Sequence, residues 1–179
     1  VIFLGAGHSI KENKEKINSF LKKKKYITIS LNINKHIDKR YIDKYIASYP
    51  SRILLEINDY KKVKSDIILP NVILNNVAKN QLKNNKLLDY GLKIKKGEFY
   101  VEKKYCTLPT PLAIGYGLAI AVIGNARKIF LAGFDGYQLN DERQKEMNDL
   151  LKLYQKNRNF PKIVSISHTS YQVSTEQII

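Results

Sequence analysis

Residues 1–12 read VIFLGAGHSIKE. The apolar run Val1–Leu4 meets Gly5 and Gly7, then His8-Ser9, then a lysine-rich stretch with helical spacing. Four apolar residues closed by glycine read as a buried strand. Ser9-x-x-Glu12 has the spacing of a capping box, which predicts a helix from Ile10. Ile17, Phe20 and Leu21 give that helix one apolar stripe. A strand turning through glycines into a helix is the opening unit of an α/β fold. A buried strand at the first residue also predicts that the chain was cut from a longer one.

The same alternation continues outward. YITISL at 26–31 reads as a second strand. HIDKRYIDKYIASY at 36–49 fits either one helix, or a loop followed by a strand at KYIAS. Pro50-Ser51 opens a helix over RILLEINDYKK, and SDIILPN is a strand stopped by Pro70. Residues 71–105 are rich in Asn with short apolar groups, and DYGLKIKKGEFYVEKKY predicts a hairpin or an irregular excursion. TLPTPLAIGYGLAIAVIGNA predicts a helix from Thr110-Pro111, apolar nearly all round and therefore buried. KIFLAGFD is a strand, NDERQKEMNDLLKLYQKN an amphipathic helix, and KIVSIS the last strand before HTSY and a short closing segment. Apolar strands alternating with helices predict a single α/β domain over residues 1–179. Its fold is Rossmann-like and doubly wound, a mainly parallel sheet with helices on both faces.

Composition narrows the setting. The chain has 179 residues, 44% of them hydrophobic, enough for one core. No run of about 18 apolar residues is free of polar breaks, so no membrane span is expected. Cys106 is the single cysteine, which excludes an internal disulfide, gives no metal spacing, and fits a reducing cytoplasm. The net charge is +15 and the pI about 9.7. The lysines are scattered over helix faces, with one dense run at Lys22–Lys25. Lys, Asn and Ile rise together, as in the codon usage of AT-rich genomes. No basic–aromatic nucleic-acid motif is present, so the charge reads as solvated surface that also attracts anionic ligands.

Ligands of such sheets bind beyond the carboxyl ends of the strands, which selects the candidate residues. Gly5, Gly7, His8 and Ser9 form the first turn, where backbone N–H groups and a helix start favour an anion, expected on the Gly7–Ser9 backbone. Ile10 stands where a dinucleotide fingerprint needs its third glycine, and no Gly-Lys-Ser/Thr closes a phosphate loop. Asn32 and Asn34 follow the second strand, and an amide side chain can read a base or sugar edge. Thr110 precedes the buried helix, where Gly115 and Gly117 are read as helix–sheet packing. Gly133, Asp135 and Tyr137 follow the strand KIFLA, placing a carboxylate directly at a strand end. His168 and Thr169 follow the last strand. No residue is assigned a catalytic role, and His8 and His36 do not make a metal pair.

Four blocks, FLGAGHSIKE, ISLNIN, LPTPLAIGYGLAIAVIGNARKIFLAGFDGYQ and VSISHTSY, resemble in order those of the bacterial sialyltransferases of the glycosyltransferase 42 type and of Maf-type flagellin-glycosylation proteins. In those families a G-x-G-x-S turn, an Asn after the second strand, a T-S-G-like helix start and a G-x-D-x-Y block surround a cytidine nucleotide. The resemblance thus implies CMP or another nucleotide or nucleotide-sugar at Gly5, Gly7, Ser9, Asn32, Thr110, Gly133, Asp135 and Tyr137. The sialyltransferases also carry a lid and a catalytic His between the G-x-D-x-Y block and the last strand. Here that interval, Gln138 to Lys162, holds no His, so sialyl transfer by this chain alone is not expected. The likeness is greatest to the C-terminal domain of bacterial aldolase-like proteins encoded with surface-polysaccharide genes.

Two readings follow. One is a nucleotide- or nucleotide-sugar-binding domain for bacterial lipopolysaccharide or capsule biosynthesis, joined to an upstream aldolase-like or transferase catalytic domain of the same chain. The other is a non-catalytic assembly module that uses the fold for oligomerisation. The first expects Asp135 and the Gly5–Ser9 turn to face an open cleft, the second expects them to be hydrogen-bonded internally. A pterin-pyrophosphokinase-like transfer would need several metal-binding acids, and only Asp135 is suitably placed.

Overall fold

The computed structural model describes residues 1–23 and 25–176. Lys24 of the lysine run and the last three residues of the closing segment lie outside the described residues. The main sheet has eight strands: β1 (Ile2–Leu4), β2 (Thr28–Leu31), β3 (Lys44–Ile46), β4 (Asp66–Leu69), β5 (Leu87–Asp89), β9 (Lys128–Ala132), β10 (Lys162–Ser165) and β11 (Ser174–Thr175). Their order is β11-β10-β9-β1-β2-β3-β4-β5, and every pairing is parallel. All carboxyl ends therefore lie along one edge. The chain winds from β1 outward to β5, then returns to β9 on the other side of β1. The order reverses between β1 and β9, which makes that gap the switch point of a doubly wound sheet.

Side chains alternate across the sheet, as the period of two requires. Ile2, Leu4, Ile67, Leu69, Phe130 and Ala132 enter one core. That core is shared with α1 (His8–Glu12), α2 (Lys14–Lys22), α3 (Pro50–Leu55), α4 (Ile57–Tyr60) and α5 (Asn76–Gln81). Phe3, Leu31, Ile46, Ile68, Leu131 and Ile163 enter the other, against α6 (Ala113–Ile123) and α7 (Glu142–Gln155). Burial of each Ile, Leu and Phe among them contributes roughly 1.5–3 kcal/mol. A Cβ on Gly117 would meet Leu31 and Phe3 at 3.3 Å, so α6 lies tight on the sheet there, as its glycine suggested.

Several boundaries differ from expectation. The first helix begins at His8, not Ile10, with Gly7 at the N-cap and no side-chain cap from Ser9. The capping box does not form because Ser9 is engaged elsewhere, and Asn13 divides the helix into α1 and α2. α6 begins at Ala113 rather than at Thr110-Pro111, with Leu112 at the N-cap. The Pro111 carbonyl is held instead by the Ser48 hydroxyl at 2.7 Å. Of the two readings of 36–49, the loop and strand is the one found, with a 3-10 turn at Lys39–Tyr41 before β3.

Residues 71–105 are not an irregular excursion. They hold a 3-10 turn, α5, the edge strand β5, and the strands β6 (Gly91–Ile94) and β7 (Tyr100–Val101). No hairpin joins β6 to β7. Both pair with β8 (Tyr105–Leu108), β6 parallel and β7 antiparallel, in a separate three-stranded sheet. Cys106, Thr107 and Leu108 are buried, which puts β8 at the centre and its neighbours at the edges. Among the described residues, no helix is long and apolar enough to cross a membrane.

Candidate functional site

A cleft of about 540 Å³ opens at the carboxyl edge of the sheet, over the β1–β9 switch point. Gly5, Ala6, Gly7 and His8 line it from β1, and Leu31 and Asn32 from β2. The loop after β9 contributes Gly133 through Tyr137, the start of α6 contributes Leu112 to Ile114, and Arg52 reaches it from α3. Arg143, Glu146 and Met147, one face of α7, complete it with Tyr171.

The glycine turn is tied to the β9 loop. Gly5 N–H donates to the Ala132 carbonyl at 2.8 Å, and Gly7 N–H to the Gly133 carbonyl at 2.9 Å. Asp135 Oδ2 accepts the Ser9 N–H at 2.7 Å, and Oδ1 accepts the Ser9 hydroxyl. The carboxylate thus caps α1 from the far side of the switch point, doing the work expected of the capping box. Ser167 Oγ accepts the Gly133 N–H at 2.9 Å, which adds β10 to the same knot. Of the turn's N–H groups, those of Ala6 and His8 have no acceptor among the described residues. His8 Nε2 lies 3.2 Å from Glu12 Oε1 on the exposed side of α1.

The opposite wall differs in charge. Arg52 pairs with Glu56 at 2.7 Å. The start of α6 has no side-chain cap, so its first N–H groups face the cleft region unpaired by side chains. Asn32 adopts a left-handed φ of 61°, and its Oδ1 is buried with no hydrogen-bond partner. Arg143 pairs with Asp141 at 2.6 Å and covers the Tyr137 ring at 4.0 Å. Hydrogen bonding from Arg143 holds the Asp141 carboxyl below its ordinary range. Burial pushes the Tyr171 hydroxyl up to about 12, so it stays protonated.

Of the residues singled out from sequence, the cleft gathers Gly5, Gly7, His8, Asn32, Gly133, Asp135 and Tyr137. The others lie outside its lining. Ser9 is buried beneath the turn. Asn34 is 3% exposed, donates to the Gly5 carbonyl at 2.8 Å and accepts the His36 and Ile37 N–H groups, so it orders the β2 loop. Thr110 Oγ1 is buried without a partner ahead of α6. His168 is exposed, and Thr169 donates to the Phe134 carbonyl at 2.6 Å. Arg52, Arg143, Glu146 and Tyr171 had not been singled out. Arg52 follows β3, where the sequence is ambiguous. The α7 pair shares the i, i+3 face with Met147, which marked that face only as apolar.

The fold and cleft define a doubly wound α/β domain with one open site at its switch point. No family model matches the chain, and neither a curated protein nor a solved structure matches it. Among the described residues, no three His, Cys, Asp or Glu side chains gather as a metal site would require.

Proposed function

We propose that the domain binds a nucleotide or nucleotide-sugar in this cleft, CMP or a CMP-linked sugar being the first candidate. In this reading it serves bacterial surface-glycan biosynthesis in the cytoplasm, beside an aldolase-like or transferase catalytic domain of a longer chain. One observation carries the binding reading: Asn32, in the wall of a switch-point cleft, holds a buried acceptor oxygen that no protein group satisfies. A buried polar atom left unpaired costs about 1–3 kcal/mol, and rotation of the Asn32 amide toward the cleft would let a donor on a base or sugar recover it.

In this reading, charge bears on where a phosphate would lie. A phosphate on the Gly7–Ser9 turn would face the Asp135 carboxylate, already seated there. The wall formed by Arg52, which is paired with Glu56, and the start of α6 supplies a guanidinium and spare N–H groups instead. On this reading the anion therefore lies on that wall, with the base or sugar toward Asn32 and Tyr137.

The internal bonds of Asp135 favour the second reading, an assembly module, since that is the arrangement it requires. Calorimetry separates the two. The chain is titrated with CMP, UMP and a CMP-sugar, and compared with Arg52→Gln. Binding by the wild type that weakens about tenfold or more in Arg52→Gln supports the nucleotide site. No binding of any of the three, together with a concentration-dependent mass in solution, supports the assembly module.

A further inference from the structure

A second cavity lies at the opposite ends of the strands. It measures about 330 Å³ and sits where the chain enters β2 and β3, beside the end of α2 and the 3-10 turn at Lys39–Tyr41. It shares no lining residue with the cleft.

Its walls are held in place before any ligand arrives. Tyr26 stacks on Phe20 with 5.8 Å between ring centres and meets Phe130 edge-on at 5.2 Å. Asp38 grips the Arg40 guanidinium, accepting from Nε at 3.0 Å and Nη2 at 2.7 Å. The Nη1 hydrogens are left without an acceptor among the described residues, and the guanidinium lies 5.9 Å from the Tyr41 ring. Lys25 has no carboxylate partner among the described residues. Asp43, which is exposed, accepts the Thr28 N–H on Oδ2 at 2.8 Å, and its Oδ1 has no donor among the described residues.

These groups are complementary to one kind of small molecule. Fixed tyrosine rings offer faces to the C–H groups of a sugar ring. A fixed guanidinium edge and an ammonium suit a phosphate. The spare carboxylate oxygen accepts a sugar hydroxyl. The volume is at the small end of ligand pockets, room for one ring and one phosphate and not for a dinucleotide. An apolar ligand would leave the free edge of Arg40, the Lys25 ammonium and Asp43 Oδ1 unused. We propose that this cavity is a binding site for a phosphorylated monosaccharide, separate from the nucleotide cleft.

Glucose 1-phosphate is the probe, titrated into the full chain by calorimetry, with glucose and inorganic phosphate as separate arms. The expected result is binding at least about tenfold tighter than either arm alone. Arg40→Gln, Lys25→Gln and Tyr41→Ala should each weaken it, Arg40→Gln by about tenfold or more. The two exposed cations keep the test valid if Tyr41→Ala does not fold. Amide chemical shifts should move at Thr28 and Tyr41. The proposal is overturned by no binding, by inorganic phosphate binding as tightly as the sugar phosphate, or by shifts confined to the Gly5 and Asn32 turns, which would place the ligand in the cleft.

Discussion

Asp135 spends both carboxylate oxygens on Ser9, one on its N–H at 2.7 Å and the other on its hydroxyl. The two residues are 126 positions apart, and the contact locks the turn after β1 to the loop after β9. Asp135→Ala leaves the Ser9 N–H without an acceptor and its hydroxyl with only Ser167 Oγ at 3.4 Å, and should cost about 1.5–3 kcal/mol, as loss of bonds to a charged group does. Asp135→Asn keeps one acceptor oxygen and should cost less. Urea unfolding of the three proteins checks the order. An alanine variant as stable as wild type would show that this contact does not hold the turn.

Gly7→Val should destabilise the protein whether or not any ligand is present. A Cβ at Gly7 would lie 2.7 Å from Asp135 Cγ and 2.7 Å from the Gly133 carbonyl oxygen. Either the carboxylate leaves Ser9 or the β1–β9 turns part, at a cost of about 2 kcal/mol or more. The melting temperature of the ligand-free variant is the measurement, and an unchanged value would refute the packing account. Loss of nucleotide binding in this variant therefore carries no information about where a phosphate sits.

The parallel sheet was legible because its strands are short apolar runs, and a run such as IFL or KIFLA has few other uses. The edge carrying Gly5, Asn32 and Asp135 followed from that alone. Less legible were contacts that cross the fold. Ser9 and Glu12 have the spacing of a capping box, yet a carboxylate from beyond β9 outcompetes the local partner. The stretch 89–105 does enter a hairpin, but it joins β7 to β8, and β6 pairs parallel with the other edge of β8, whose end reads only as the lead-in to a helix. β11 is two exposed residues with no apolar signal. Arg143 and Glu146 reach the cleft from a helix face, which no rule about strand ends would select.

Asn32 separates binding from folding. Its φ of 61° suits glycine better than any residue with a Cβ, so Asn32→Gly should leave stability unchanged or slightly higher. Asn32→Ala sheds the unpaired oxygen but keeps the left-handed backbone without an Asn side chain's tolerance of it, so it should be less stable than Asn32→Gly by about 1 kcal/mol. Both remove the buried acceptor oxygen, so both should bind CMP about tenfold more weakly. Thermal melts with parallel titrations check this. Wild-type affinity in Asn32→Gly would mean that the orphaned oxygen is not used by the ligand.

Alkaline pH should weaken the fold through groups that burial keeps protonated. Burial raises the Cys106 thiol from 9.0 to about 12, and the Tyr45 hydroxyl from 10.0 to about 12. Tyr60 and Tyr116 move in the same direction and further. The folded state then holds protons that the unfolded chain has released. The contribution of Cys106 is complete below about pH 9 and is lost as the pH rises toward 12. Deprotonation of the many lysines acts oppositely, by relieving the repulsion of a +15 chain. Comparing wild type with Cys106→Ala cancels that effect. The stability advantage of wild type over Cys106→Ala should shrink between pH 8 and pH 10.5, since only wild type carries the thiol. Melting temperatures of both proteins across that range provide the measurement. A constant gap would show that the thiol titrates alike in the folded and unfolded chains, against its complete burial in β8.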